Sequence, residues 1–202
     1  GLLLFGWACN VLYRVWRSSR DVHAAASWGK VDSLQQLLED GACLDKRNDY
    51  GRTPLHCAAA FGQLDAIEQL ISRGAEVNLG APDGWTPLHY ACIGGHTETV
   101  EALLAHGAHP DACADDGTTP LHWGCRNGLP KICRLLLDAG ADPELEDRNG
   151  RTPLELASGP DKTRIEELKA QLDKMGEVSL GAVEEHKSLE ERFEFLVKQR
   201  DD

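Results

Sequence analysis

The most regular feature of the chain is a pair of aliphatic residues that recurs every 33 residues. Each pair lies in an apolar stretch of helical period, and each stretch ends three residues later at a Gly-Ala dipeptide. Glycine is favoured just after the last turn of a helix, because it adopts positive φ without steric cost. The pairs are Leu70-Ile71, Leu103-Leu104 and Leu136-Leu137, and the dipeptides are Gly74-Ala75, Gly107-Ala108 and Gly140-Ala141. This spacing predicts stacked structural repeats, each containing such a helix.

A six-residue motif, Gly-x-Thr-Pro-Leu-His, recurs with the same period. It stands at residues 51–56, 84–89 and 117–122, and a fourth copy at 150–155 ends in Glu155 instead of His. The Asp-Gly or Asn-Gly that opens the later copies favours a tight turn, Thr is a good helix N-cap, and Pro suits the first helical position. The Leu points to the core, and the His can reach back to the turn backbone, as Glu155 does in a capping box. Each copy therefore predicts a turn followed by the start of a helix.

A turn and two helices in 33 residues, with the Thr-Pro-Leu-His sequence, resemble the ankyrin repeat family. The resemblance covers residues 16–175, and three full copies share one register. It implies an all-α solenoid of about five helix-turn-helix repeats with short β-hairpin turns. It also implies a concave binding face, formed by the turn tips and by the exposed side of the first helix of each repeat.

The repeat domain is predicted to span residues 17–176 and to be capped at both ends. Its units, numbered one to five below, are 17–47, 48–80, 81–113, 114–146 and 147–176. Repeat one has Arg20-Asp21-Val22-His23 in place of the motif, and the second helix of repeat five, residues 162–174, is heavily charged. Such departures are expected of terminal repeats, which face solvent on one side. An apolar and basic segment, residues 1–16, precedes the domain, and an acidic tail, residues 177–202, follows it.

Residues 1–20 are mostly apolar, with Arg14, Arg17 and Arg20 and no acidic residue. A stretch of about 12–15 apolar residues is too short to cross a bilayer alone. With residues missing upstream, it would be the cytoplasmic end of a transmembrane helix. It would otherwise lie in the membrane interface, cover the apolar face of repeat one, or be a signal-peptide remnant or an artefact.

The acidic tail contains four apolar residues at helical spacing, Leu189, Phe193, Leu196 and Val197. They predict an amphipathic helix over residues 183–199. Three arrangements are open for this helix: docking on repeat five, pairing with a partner helix, or fraying in isolation.

Composition narrows the classes of partner. The 202 residues carry a formal net charge of −12, so the chain as a whole repels phosphate backbones. We therefore expect no nucleic-acid partner, and the charge favours a basic protein. Among seven cysteines, Cys92 and Cys125 occupy the same repeat position and are expected to be small core residues. Unpaired core thiols suit a reducing compartment, which predicts a cytoplasmic protein, or one at the cytoplasmic face of a membrane.

The sequence shows no pattern typical of catalysis or of cofactor binding. It has no phosphate-binding glycine loop, no Gly-x-Ser-x-Gly elbow and no kinase signature. Four histidines share one repeat position (His23, His56, His89 and His122), and about 10 Å between adjacent repeats is too far to share a metal ion. We expect them to cap helices, and we expect no enzymatic activity, no cofactor and no metal.

The candidate partner-binding residues are those that vary while the repeat frame stays fixed. Exposed aromatic and Arg side chains dominate many protein interfaces, although some of these aromatic residues would instead pack inward against neighbouring helices. We hypothesise that Trp85, Tyr90 and Trp123 carry most of the affinity. The full set is Trp28, Tyr50, Arg52, Phe61, Asp83, Trp85, Tyr90, Ile93, Asp116, Trp123, Arg126 and Asn127.

Together these observations predict a monomeric, non-catalytic scaffold that binds a protein partner on the concave face of a helical solenoid. Two alternatives stay open from the sequence. One is a membrane-tethered adaptor, or the cytosolic portion of a membrane protein, attached through residues 1–20. The other is a repeat-domain fragment of a larger enzyme whose catalytic part lies outside this chain.

Overall fold

The structure of the protein, a computed structural model, describes residues 21–157 and residue 170. This part of the chain contains nine α-helices and no β-strand. The helices are α1 (Val22–Ser27), α2 (Val31–Glu39), α3 (Pro54–Ala60), α4 (Leu64–Ser72), α5 (Pro87–Gly94), α6 (Thr97–Ala105), α7 (Pro120–Arg126), α8 (Pro130–Asp138) and α9 (Pro153–Leu156). The segments predicted at 1–20 and 183–199 lie outside the described residues, as does the helix at 162–174 except residue 170.

The helices form two stacked layers. Helices α1, α3, α5, α7 and α9 pack against one another in chain order, and α2, α4, α6 and α8 do the same beside them. The predicted all-α solenoid of helix-turn-helix repeats is therefore confirmed. The predicted hairpins are present as tight turns without strand pairing; the turn of repeat two, for example, is closed by a hydrogen bond from Asn48 N–H to Arg52 O at 2.9 Å.

Small buried residues let the first helices of adjacent repeats approach closely. One pair of positions holds Ala58-Ala59 in α3, Ala91-Cys92 in α5 and Gly124-Cys125 in α7, and all six residues are buried. Leu55, Leu88 and Leu121 of the three full motifs are buried beside them. Cys92 and Cys125 are thus core residues, as the repeat alignment predicted.

Each motif histidine closes the N-terminus of its own helix. The backbone N–H groups of Thr53, Thr86 and Thr119 donate to Nδ1 of the histidine three residues later, at 3.1, 3.2 and 3.1 Å. In repeat five the Thr152 N–H donates to Glu155 Oε2 at 3.0 Å. The predicted reach of this side chain back to the turn is confirmed, with imidazole in the role that Glu has in a capping box.

The other ring nitrogen of each histidine binds the next repeat. Because Nδ1 accepts an N–H, the ring proton resides on Nε2, which donates to a backbone carbonyl. The bonds run from His56 to Trp85 O at 2.9 Å, from His89 to Thr118 O at 3.1 Å, and from His122 to Arg151 O at 3.1 Å. Adjacent repeats are therefore joined through buried, neutral imidazoles.

The turns of the later repeats also stack through the main chain. Asp115 N–H donates to Asp83 O at 2.9 Å, and Arg148 N–H donates to Asp116 O at 2.9 Å. This close approach requires glycine in the turn for two reasons. Gly117 has a φ of +80°, and a Cβ at this position would lie 2.9 Å from Arg148 N.

The turns of repeats two and three lack the corresponding bond. The residue of repeat three that would donate is Pro82, which has no N–H. At this junction the Arg47 guanidinium bridges the backbone instead, donating to Gly51 O at 2.7 Å and to Gly80 O at 3.0 Å. A side chain therefore replaces a main-chain contact between these two turns.

The close stacking of turns predicts that Gly117→Ala destabilises the protein more than Gly107→Ala does. Gly107 has a φ of +82°, and no other described residue has an atom within 4 Å of the place that a Cβ would take there. Its replacement therefore costs only the left-handed conformation, about 1–2 kcal/mol. Gly117→Ala adds the clash with Arg148 N and should cost at least about 1 kcal/mol more. Urea unfolding of the two variants measures the difference, and equal free energies of unfolding would contradict the stacking role.

The buried imidazoles predict that stability falls as the pH is lowered below neutral. Burial lowers the pKa of His56 and of His89 to about 4, from an ordinary value of 6.5. The unfolded chain therefore takes up protons that the folded chain excludes, so stability is complete above pH 6.5 and falls toward pH 4. Between about pH 7.5 and pH 5 the expected loss is about 2 kcal/mol per imidazole.

Urea unfolding at the two pH values measures this loss, and His89→Gln is the control variant. Its side chain does not titrate, so the pH dependence of the variant should be smaller by the contribution of one imidazole. A pH dependence equal to that of the unaltered protein would show that His89 does not contribute.

Candidate functional site

Three aromatic rings meet on the side of the stack formed by the turns and first helices. Trp85 lies in the turn before α5, Tyr90 in α5 and Trp123 in α7. The ring centroid of Trp85 lies 5.4 Å from that of Tyr90 and 5.1 Å from that of Trp123, with interplanar angles of 63°. These edge-to-face arrangements are favourable for aromatic pairs. The structure thus brings together the three residues singled out from the sequence, here called the aromatic cluster.

The fold fixes both tryptophans of the cluster. The Trp85 carbonyl accepts the His56 bond, its N–H donates to Asp83 Oδ1 at 3.2 Å, and its ring stacks on His89 with centroids 6.4 Å apart. Trp123 donates from Nε1 to Thr118 Oγ1 at 3.3 Å. Both rings are half-buried, so each keeps an accessible surface in a defined orientation.

Two arginines extend the cluster at its ends. The Arg52 guanidinium lies 4.7 Å from the ring centroid of Tyr90 and 5.8 Å from that of Tyr50, and the Arg126 guanidinium lies 5.1 Å from that of Trp123. A cation over an aromatic face is attracted by the ring quadrupole. Within residues 21–157, no ion pair involves either of these arginines. Both positive charges are therefore held on aromatic surfaces without an acidic partner in the described part of the chain.

Tyr90 is buried rather than exposed, which corrects the expectation of an accessible anchor. Only 6% of its surface is exposed, because Arg52 and Trp85 cover its ring and His56 meets it edge-on, with centroids 5.6 Å apart. Its hydroxyl oxygen is buried and makes no hydrogen bond of ordinary length and angle in the described part of the chain, although it lies close enough to the Arg52 guanidinium to interact with it. Burial raises the pKa of Tyr90, and the Arg52 guanidinium opposes this effect. The buried Tyr90 ring packs against the ring of Trp85 and helps to hold it in place.

The remaining predicted residues are spread over the same side of the stack. Trp28, Tyr50 and Phe61 are 71%, 75% and 61% exposed. Trp28 and Phe61 share one position in adjacent repeats, and among the described residues neither takes part in the ring contacts of the cluster. Asp83, Asp116 and Asn127 are exposed, and Ile93, which accepts a hydrogen bond from Asn127 Nδ2 at 3.4 Å, is half-buried.

A pocket of 180 Å³ opens beside the aromatic cluster, toward repeat five. Its walls include both tryptophans, Arg126, and an ion pair that the candidate set lacked. In that pair Asp147 Oδ2 accepts from Arg151 Nε at 3.0 Å and from Nη2 at 2.7 Å. These bonds hold the pKa of Asp147 well below its usual range. The 33-residue period could have identified Arg151, which lies three repeats after Arg52.

The described residues meet the requirements of neither a metal site nor a membrane span. Between residues 21 and 157, no group of three His, Cys, Asp or Glu side chains is placed to hold a metal ion. None of the described helices is both long enough and apolar enough to span a bilayer. The Sγ atoms of Cys125 and Cys133 lie 3.7 Å apart in the core, where the hydrogen bond with Cys133, together with burial, raises the pKa of the Cys125 thiol.

The buried Tyr90 hydroxyl predicts that Tyr90→Phe stabilises the protein. The variant keeps the ring contacts and removes an unpaired polar group, so the free energy of unfolding should rise by about 1 kcal/mol. Tyr50→Phe is the matched control, because the Tyr50 side chain is exposed and its change should stay within about 0.5 kcal/mol. Urea unfolding measures both variants, and a loss of stability in Tyr90→Phe would show that the hydroxyl has a partner.

Comparison with known families agrees with the repeat pattern. A family model described as ankyrin repeats in three copies matches residues 76–147, and another described as ankyrin repeats in many copies matches residues 22–71. Comparison with curated proteins gave no match. On the repeat motif, the stacked helix pairs and these two matches, the chain belongs to the ankyrin repeat family.

Proposed function

We propose that the protein is a non-catalytic scaffold that binds a protein partner on the concave face of the solenoid. Ankyrin repeats are generally protein–protein interaction modules and are typically non-catalytic. The observation that carries the proposal for this chain is the aromatic cluster, with half-buried Trp85 and Trp123 and, at each end, an arginine that has no acidic partner within residues 21–157. Trp, Tyr and Arg are the residue types that dominate the energetics of protein interfaces.

The geometry explains how such a surface would bind. Two hydrogen bonds fix the backbone of Trp85, and its ring packs on those of His89, Tyr90 and Trp123, so little side-chain freedom remains to be lost on association. Its accessible surface adjoins Trp123, which gives a partner side chain two aromatic walls. We place most of the binding free energy at these two residues and treat the exposed Trp28 and Phe61 as peripheral contacts.

A second candidate function is a membrane-tethered adaptor. The observation that favours it is the apolar and arginine-containing segment at residues 1–20, which lies outside the described residues. In this case the concave face would bind its partner at a cytoplasmic membrane surface. The first candidate requires a cytoplasmic partner and no membrane.

Affinity capture from cell lysate with the full chain tests the proposal. Trp85→Ala should lower recovery of the partner about 30-fold, because truncation of a central interface tryptophan typically costs 2 kcal/mol or more. Trp28→Ala is the comparison variant: it removes the same side chain from a peripheral, exposed position outside the cluster and should lower recovery far less than Trp85→Ala. Far-ultraviolet circular dichroism verifies that both variants are folded.

Recovery within about twofold in Trp85→Ala would contradict a role for the aromatic cluster, because a hot-spot residue contributes far more. Fractionation of the same lysate separates the two candidates. Recovery of the chain with membranes that requires residues 1–20 would favour the tethered adaptor.

A further inference from the structure

We infer that Arg52 and Tyr90 form a site for a carboxylate of the partner, so that the segment crossing this face is acidic. The inference rests on the proposed function and specifies the chemistry of its partner. Three features of residues 21–157 support it: the Arg52 guanidinium has no acidic partner there, the buried Tyr90 hydroxyl makes no hydrogen bond of ordinary geometry there, and the equivalent turns of repeats two and five differ.

The turns of repeats two and five show why Arg52 is unpaired. In repeat five, Asp147 Oδ1 accepts the backbone N–H groups of Asn149 and Arg151 at 2.8 and 3.1 Å, and its second oxygen holds the Arg151 guanidinium. The equivalent residue of repeat two is Asn48, whose Oδ1 accepts the N–H groups of Tyr50 and Arg52 at 3.0 Å each. The turn is therefore built in the same way, but the amide group supplies no carboxylate oxygen for the guanidinium. Arg52 lies on the rings of Tyr50 and Tyr90 instead.

The Tyr90 hydroxyl adds a second open group beside the guanidinium. It is buried beneath Arg52, and no hydrogen bond of ordinary length and angle joins it to another described residue. An unpaired buried hydroxyl lowers stability, and native structures contain few of them. A carboxylate would accept hydrogen bonds from the Arg52 guanidinium and from the Tyr90 hydroxyl together. Rotation of the flexible Arg52 side chain from the ring onto the carboxylate would uncover the hydroxyl.

The neighbouring acidic groups do not occupy this site. Asp83 is the acidic residue whose charge acts on both Tyr90 and His56, and its Oδ1 accepts the Trp85 N–H in its own turn at 3.2 Å. The Cys57 thiol beside Tyr90 is buried, and burial raises its pKa. The positive charge of Arg52 thus remains available to a ligand.

The charge at Arg52 is opposite in sign to the net charge of the chain. The total of −12 favours a basic partner at long range, but salt screens exposed charges beyond about 8–10 Å. At contact distance the guanidiniums of Arg52 and Arg126 border the aromatic cluster and form no ion pair within residues 21–157. The nearby carboxylates of Asp83 and Asp116 each accept a backbone N–H of their own turn through Oδ1. An acidic residue flanked by aromatic or aliphatic side chains would match both Arg52 and the adjoining surface of Trp85 and Trp123.

A phage-displayed library of random peptides, selected on the immobilised full chain, tests this chemistry. We expect the selected peptides to be enriched in Asp or Glu beside aromatic or aliphatic residues. For one synthetic peptide, Arg52→Gln should weaken binding tenfold or more, as expected for loss of a charge-assisted hydrogen bond. Arg134→Gln is the matched control, because it makes the same change of net charge on α8, where Arg134 pairs with Asp138.

A double-mutant cycle shows whether the peptide acid meets Arg52. Replacement of that acid by its amide should weaken binding to the unaltered protein tenfold or more and leave binding to Arg52→Gln nearly unchanged. Asn48→Asp keeps Arg52 and gives it an intramolecular carboxylate partner, as Asp147 is for Arg151. This variant should therefore weaken peptide binding although the arginine is still present. Tyr90→Phe should weaken the peptide several-fold although it stabilises the free protein.

Three outcomes would overturn the carboxylate site: enrichment of Lys and Arg, acidic peptides that bind Arg52→Gln equally well, or the absence of any enriched peptide. The proposed function is judged separately by Trp85→Ala. Peptides that require Trp85 but not Arg52 would overturn this inference and support the aromatic cluster. Peptides that require neither residue would count against both.

Discussion

The two-ended hydrogen bonding of the buried motif histidines is the interaction on which the rest of the structure depends. A protonated imidazole has two donors and cannot accept the Thr N–H, so only the neutral ring can cap its own helix and reach the next repeat. The carbonyls that receive the second bond belong to Trp85, Thr118 and Arg151, which directly precede the next helix caps. All three residues line the candidate pocket. The bond that holds the stack together therefore also positions its functional face.

Much of the fold could be predicted because the chemistry of the repeated motif is complete within six residues. The Thr cap, the Pro of the first helical turn and the reach of the His back to the turn are local, and the structure contains all of them. The second bond of the His was not predicted, since it depends on where the neighbouring turn lies. Segments without the motif, at residues 1–20 and 183–199, remain predictions.

The candidate site was harder to predict because the burial and pairing of its side chains depend on contacts between residues of different repeats. Tyr90 and Trp123 occupy the same repeat position, yet Tyr90 is buried and Trp123 is half-buried. The difference lies in the preceding repeat, which places Arg52 over Tyr90 but Trp85 at the edge of Trp123. A similar comparison separates Arg52 from Arg151: the guanidinium pairs with the turn residue where that residue is Asp147, but not where it is Asn48. Alignment of the repeats with one another identifies these residues, but it does not show the contacts that they make with the preceding repeat.

Pro82 makes one junction in the row of turns different from the later ones. Main-chain bonds join the turns of repeats three, four and five, whereas the turn of repeat two is attached to the next through the side chains of Arg47 and His56. The junction between the turns of repeats two and three therefore depends on side chains, whereas the later junctions also have a main-chain bond. A single imino acid thus changes how adjacent repeats are joined, and it does so at the edge of the aromatic cluster.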